Sequence, residues 1–470
     1  MSATSITFLG AARTVTGSKH LLETAPSTAL GASAGPVRVL VDCGMFQGLK
    51  ELRQRNWQAL PADPASINAV VLTHAHLDHV GWLPRLVAGG FTGRVFCTAG
   101  TAELARIVLA DAAKLQEEDA EQANRGGYSR HRPALPLFTA EDAMRAMTLL
   151  QPVGYERPMP VAEGVEAEFI NAGHLLGSAY ARVRVDGMQV LFGGDLGRYD
   201  RPILPDPAPV PECDFLLLES TYGDRRHEPD DDGEQLARII NETARRRGKV
   251  IVPAFAIGRV EEVVFWLKKL EAERRIPVLP VYLDSPMASA AIKLYEARQN
   301  ELDPEVRSVE KGVCVFCTTR FTVISSPRES HELVKSGGPA IVIASSGMAT
   351  GGRVLNHLKA TLPDPRHTIL FVGFQAAGTR GRQILEGAPR VKIHGAEIPV
   401  AAQTAVIHSM SAHADQGEIL RWVGNFKRPP TRTFLVHGEP AAQAALREAI
   451  IRRLDWNVYV PEHQERAQIE

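Results

Sequence analysis

Long apolar runs are missing from this chain of 470 residues. No stretch approaches the roughly 18 consecutive apolar residues that a membrane-spanning helix needs. The opening residues, MSATSITFLGAART, carry no basic segment leading into an apolar one. Neither a membrane span nor a secretory leader is therefore expected. A strong charge of one sign is missing too. The formal net charge is −1, which excludes a global basic field for nucleic acid but leaves room for a local basic groove. Cysteine is scarce. Five residues, an odd and sparse set, exclude a disulfide framework and fit the reduced thiols of a cytoplasm. Cys314 and Cys317 form a lone C-x-x-C in GVCVFCTTR. That segment alternates like a strand, which predicts thiols on opposite faces, and no second pair completes a zinc ribbon. Internal repeats and low-complexity linkers are absent, and so is a G-K-[ST] sequence, so a nucleotide-hydrolysing Walker loop is not supported.

What remains is a soluble globular composition, 44% hydrophobic and 23% charged, long enough for about two or three domains. Through the first two hundred or so positions, short β-branched runs recur (SITFLG, VRVLVDCG, AVVLTHAH, RVFCT), with a helix predicted over 101–122. Asp186-Gly187 predicts a tight hairpin turn between two alternating strands. After that the runs become continuous: DFLLLES, KVIVPAF, PVYLDS, AIVIASS and TILFVGF. Helical patterns such as VEEVVFWLKKLEAE separate several of them, which argues for a parallel sheet covered on both faces.

The chemistry concentrates in VVLTHAHLDHVG, residues 70–81. In an extended segment His74, His76 and Asp78 would project to one side, whereas Asp78 and His79 are neighbours and must point differently. One loop can then serve two ions, His74 and His76 for one, Asp78 and His79 for the other. Imidazole and carboxylate donors suit zinc, with manganese or iron as alternatives. Further ligands are expected at the ends of later apolar runs: His174 in FINAGHLLGS, Asp195 in VLFGGDLG and His437 in TFLVHGE, each flanked or followed by glycine.

The ordered set HAHLDH, preceded by VDCG and followed by AGHLLGS and GGDLG, resembles the metallo-β-lactamase fold. That resemblance implies an α/β (α+β) protein with a four-layer αββα sandwich. It implies two Zn²⁺ per chain, one held by His74, His76 and His174, the other by Asp78, His79 and His437. Asp195 would bridge them, and Asp42 would be the carboxylate that fixes ligand geometry. Between Asp195 and His437 lie 242 residues, far more than simple hydrolases of this fold use. The parallel pattern fills that gap, which resembles the β-CASP nucleases. Their three marks appear in order as Glu219 in LLLESTYGDRRH, His413 in SMSAHADQ and His437 in FLVHGE. The likeness is to the branch containing the endonuclease subunit of the cleavage and polyadenylation factor and its prokaryotic relatives. A His at the third mark implies RNA rather than DNA. Neither the N-terminal KH modules of archaeal relatives nor the C-terminal domain of ribonuclease J is expected here.

The expected domains are a discontinuous metallo-β-lactamase domain over 1–221 and 386–470, with an inserted β-CASP domain over 222–385. The expected reaction is zinc-dependent hydrolysis of single-stranded RNA, endonucleolytic, in RNA processing or decay. Hydroxide generated by two metals would attack the phosphorus in line, leaving a 5′-phosphate and a 3′-hydroxyl. His413 would protonate the leaving oxygen and Glu219 would orient it. For phosphate binding the candidates are Ser346, Gly347, Gly351, Gly352 and Arg353 in IASSGMATGGR, a Gly-rich turn expected to open a helix, with Arg259 in AFAIGR and Arg380 and Arg382 in GFQAAGTRGR. A cleft between two domains would admit a single strand more easily than a duplex. A homodimer is compatible with the reading. The alternatives are a non-catalytic scaffold of an RNA-processing complex, a DNA nuclease, and a small-molecule hydrolase of the same fold.

Overall fold

In the computed structural model, residues 4–24, 35–127, 129, 131–228, 231–307 and 314–470 are described. Strand-forming runs in the first part, joined by Arg432–Val436, Val458–Tyr459 and Arg466–Gln468 from the end of the chain, assemble into two seven-stranded sheets. Their facing sides meet in one apolar layer that includes Ile6, Phe8, Val39, Val41 and Val71 from the first sheet and Phe169, Ala181, Val183, Phe192, Leu217 and Phe434 from the second. The strand Phe215–Glu219 shows why its sequence is apolar throughout. Phe215 and Leu217 face the other sheet, while Leu216 and Leu218 face outward onto Ile419 and Trp422 of helix Gln416–Val423 and Leu446 and Ile450 of helix Pro440–Leu454. A strand covered on both sides needs no polar alternation. On the first sheet, the long helix Ala99–Gly126 packs against strands Arg94–Thr98 and Leu150–Val153. The four-layer αββα sandwich expected above is the arrangement found. Asp186 and Gly187 both have positive φ, 49° and 77°, and join strands Ala179–Val185 and Met188–Phe192 through the expected hairpin.

The chain divides into two compact units, Met1–Arg226 with His413–Glu470, and His227–Ala412. In the second unit, six parallel strands run in the order Phe321–Val323, Val281–Leu283, Ala340–Ala344, Lys249–Pro253, Thr368–Phe371, Gln403–Val406. The return to the first unit comes later than the boundary expected at 385/386. Gln403–Val406 pairs with Thr368–Phe371, and Val391, Ile393 and Ile398 of the hairpin Arg390–Pro399 pack into the core of the insert. Two other expectations change. Extended backbone ends at His76, and Leu77–Val80 is a helical turn, so Asp78 and His79 are turned by helix geometry rather than by strand alternation. Cys314 and Cys317 lie in a turn, not a strand, and form a disulfide with Cα atoms 5.7 Å apart. Among the described residues no helix is long and apolar enough to cross a membrane.

Sheet topology delivers the polar residues to one edge. Asp42 follows strand Arg38–Val41, His74 follows Ala69–Val71, Asp195 follows Met188–Phe192, Glu219 ends Phe215–Glu219 and His437 follows Arg432–Val436. The loops there are packed backbone to backbone. Ser18 N donates to Asp78 O at 2.8 Å and Cys43 N to His79 O at 2.7 Å. A Cβ on Gly44 would lie 1.6 Å from Asp78 O. Replacing Gly44 by alanine is therefore expected to displace the Asp78–His79 turn and to destabilise the first unit by about 1–3 kcal/mol, the usual cost of overpacking. A shift in the urea-unfolding midpoint measures it.

Candidate metal centre

Four ring and carboxylate atoms converge first. His74 Nε2 is 3.1 Å from His76 Nδ1, which is 3.2 Å from His174 Nε2. Asp195 Oδ2 is 3.3 Å from His74 Nε2 and 3.5 Å from His174 Nε2. On the other side of the same carboxylate, Asp195 Oδ1 is 3.3 Å from His79 Nε2 and 3.6 Å from His437 Nδ1. His437 Nε2 lies 3.4 Å from Asp78 Oδ2. Ligands about 2.1 Å from a tetrahedral zinc stand roughly 3.3 Å from one another. The spacings of the first set match that requirement; in the second, His437 meets Asp78 through Nε2 and Asp195 through Nδ1, and only one of these nitrogens can face an ion. His79 Nε2 and Asp195 Oδ1 are buried and face each other at 3.3 Å without hydrogen-bond geometry. Buried polar atoms so placed are better satisfied when a cation lies between them. The donor chemistry and the spacing thus fit divalent metal. The sets are His74, His76, His174 and Asp195, and Asp78, His79 and His437 with Asp195 reaching both.

Burial sorts the histidines into two kinds. It drives His74 and His174 below the usual imidazole range and His76 down to about 3, with neighbouring imidazoles adding to the effect. Neutral rings are the form that ligates. Burial opposes charge at His79 as well, yet the carboxylates of Asp195 and Asp42 outweigh it and hold that ring well above its ordinary value. Burial likewise pushes the Asp195 carboxyl up, but His437, His79 and His74 around it hold it well below the carboxylate range. The centre is thus an anionic hub that demands positive charge, from protons or from metal.

Supporting residues aim these groups. Asp42 Oδ2 accepts from His79 Nδ1 at 2.7 Å, and Asp42 Oδ1 accepts from Thr73 N at 2.8 Å. Asp42 and His437 both sit in the left-handed region, φ 59° and 48°, a strain that is rare outside glycine and concentrates at functional sites. Thr73 and Thr221 were not anticipated. Thr221 Oγ1 is 3.1 Å from His437 Nδ1 and turns that ring's Nε2 toward Asp78. Ser178 Oγ accepts from His174 N and Leu175 N at 3.0 Å each, holding the AGHLLGS turn. Thr73 and Thr221 each adjoin a strand end that also presents a charged group, and that shared edge was the available signal.

His413 stands beside the cluster, its ring 4.7 Å from that of His174. Its Nδ1 is 3.2 Å from both Glu219 oxygens and 3.8 Å from Asp195 Oδ2. Burial lowers its proton affinity, but Glu219 and then Asp195 raise it further, to about 9. Glu219 is itself fixed by Leu196 N, which donates to Oε1 at 2.6 Å. The His413 side chain is 16% exposed, whereas Glu219 is sealed.

The second unit holds the remaining candidates. Ser346 Oγ accepts from Thr350 N at 3.1 Å, Gly347 packs tightly on Phe255, and the 345–353 loop opens helix Val354–Thr361 as expected. Gly351 and Gly352 sit in that loop, and Arg380 Nη1 donates to its Ala349 carbonyl. Arg353 donates to Asp284 Oδ1 at 2.9 Å. Arg382 pairs with Glu386. Arg259 is buried against Glu262, which gives its guanidinium a structural partner.

Residues 37–254 match the Metallo-beta-lactamase superfamily, residues 260–384 the Beta-Casp domain, and residues 397–461 the Zn-dependent metallo-hydrolase RNA specificity domain. The chain is 38% identical to Ribonuclease TTHA0252 of Thermus thermophilus, over 94% of this chain and 95% of that protein. It is 31% identical to the RNase J-like protein of Methanocaldococcus jannaschii, over 90% of this chain and 92% of that one. Transcription termination factor FttA of the same archaeon is 30% identical, over 97% of this chain and 70% of its own length. With nearly end-to-end similarity and a donor cluster suited to divalent metal, the chain belongs to the β-CASP family of metal-dependent hydrolases with the metallo-β-lactamase fold.

Proposed function

We propose that the protein is a zinc-dependent ribonuclease that cuts single-stranded RNA endonucleolytically, in RNA processing or decay, and leaves a 5′-phosphate and a 3′-hydroxyl. One observation carries the reading: His413, its Nδ1 3.2 Å from Glu219, stands next to two candidate metal donor sets that share Asp195. A small ester needs no such acid, whereas a ribose 3′-oxygen leaving phosphorus does. The 38% identity to a ribonuclease over almost the full length of both chains supports RNA as the substrate.

His74, His76 and His174 would hold one divalent ion and Asp78, His79 and His437 another, and such ions would supply hydroxide near neutral pH and charge neutralisation for phosphodiester hydrolysis. The protein's own residues do the rest. Asp195 presents one oxygen to each donor set and fixes their separation. Asp42 and Thr221 hold the ring planes of His79 and His437. Glu219 keeps a proton on His413 and orients the ring, and His413 gives a proton at Nε2 to the departing 3′-oxygen. Ser346, Gly347, Gly351 and Gly352, with Arg353 and Arg380 bracing their loop, are proposed to meet backbone phosphates.

His413→Ala is expected to retain its full metal complement and to cleave a labelled single-stranded RNA about 10²- to 10⁴-fold more slowly, the range for loss of a general acid. Glu219→Gln should fall in the same direction by a smaller factor. Cleavage by His413→Ala at the wild-type rate would remove the acid assignment. Asp195→Ala, in contrast, is expected to lose bound metal as well as activity, read by elemental analysis of the folded protein. Matched RNA and DNA strands give the third test. RNA should be cut at least tenfold faster, and equal rates would return the reading to a general nuclease.

A further inference from the structure

The C-x-x-C turn is not used by the metal centre, and it has the features of a reactive pair. Cys314 and Cys317 are both partly exposed. The other three cysteines, Cys43, Cys97 and Cys213, are buried, and burial pushes each thiol up to about 12, out of reach of thiol chemistry. The turn between the pair is fixed by contacts that do not involve sulfur. Lys268 Nζ donates to the carbonyl of Cys314 at 2.6 Å. Phe316 is fully buried edge-on to the Tyr295 ring, with centroids 6.2 Å apart, and Val315 is buried beside it. Thr319 N donates to Glu271 Oε2 at 3.2 Å. These contacts brace a turn in which the two Cα atoms lie 5.7 Å apart. A bridge across three positions removes little freedom from the unfolded chain, so it is a weak staple. The carboxylate of Glu296 is 3.2 Å from Cys314 Sγ, within reach of a thiol proton there.

We propose that Cys314 and Cys317 form a thiol–disulfide exchange site in the insert, oxidised by low-molecular-weight disulfides of the glutathione class and reduced by the corresponding thiols. It is independent of the RNA cleavage proposed above. In the oxidising direction the Cys317 thiolate attacks one sulfur of the small disulfide. A Cys317–S–S–R bond forms, and the first RS⁻ leaves and takes a proton. Glu296 then accepts the Cys314 proton, and the Cys314 sulfur attacks Cys317 Sγ, expelling the second RS⁻, which takes the proton from Glu296. Two protein thiols are oxidised by two electrons, and one small disulfide becomes two thiols. The preset turn gives the second, intramolecular step its advantage.

The test is equilibration of the full-length protein in glutathione buffers from strongly reducing to strongly oxidising, followed by acid quench, alkylation and intact mass. The expected result is one reversible transition in which two labels on the pair are lost together. Cys314→Ser should trap glutathione on Cys317, and Cys317→Ser should form adduct at least tenfold more slowly. Glu296→Gln should accumulate the mixed disulfide before closure. Unchanged circular-dichroism melting shows that the variants remain folded. The proposal is overturned if the pair stays in one state across the whole range, or if it reacts only after unfolding. It is also overturned if the reduced pair takes up zinc, lost in Cys314→Ser, and then resists oxidation.

Discussion

The centre depends on one carboxylate. Asp195 is 99% buried and faces His74 and His174 with one oxygen and His79 and His437 with the other. An ionised carboxylate in that position costs several kcal/mol unless positive charge surrounds it. Everything near it follows from that demand. The strands of two sheets end at a common edge so that their loops can reach Asp195. Asp42 and His437 tolerate left-handed backbone to hold their side chains there. The tight packing around Gly44 fixes the Asp78–His79 turn against its neighbours.

The same hub divides chemically identical side chains into different tasks. Sealed among other imidazoles, His74, His76 and His174 are kept neutral, ready to donate lone pairs. His413 lies only one ring away, yet it leans on Glu219, whose carboxylate raises its proton affinity. Placement relative to two carboxylates, not residue type, sets the proposed ligands apart from the proposed acid.

Much of this was legible in the sequence, because the signals were local. Strand length, apolar runs covered on both faces, the Asp186-Gly187 turn and the glycine-flanked histidines all express short-range physics. The seven side chains expected as ligands lie together at one sheet edge. Less legible were features fixed by partners distant in the chain. The last strand of the insert, Gln403–Val406, has only four residues with a mixed exposure pattern, and its membership is decided by pairing with Thr368–Phe371. Thr221 stood in a quoted motif without a role, since only the folded chain brings it to His437. The alternation around Cys314 read as a strand, but buried Phe316 and the Lys268 anchor make a turn there. Leu77–Val80 was too short for a periodic signal to betray a helical turn.

The ladder joining Phe215–Glu219 to Arg432–Val436 has a temporal consequence. Its two strands are neighbours in space but belong to opposite ends of a long excursion of the chain. A ribosome making this protein exposes six of the seven donors early and withholds His413 and His437 until nearly all residues have been joined. The proposed centre is thus the last thing to be completed, and a truncated or stalled product carries the early histidines without His413 and His437.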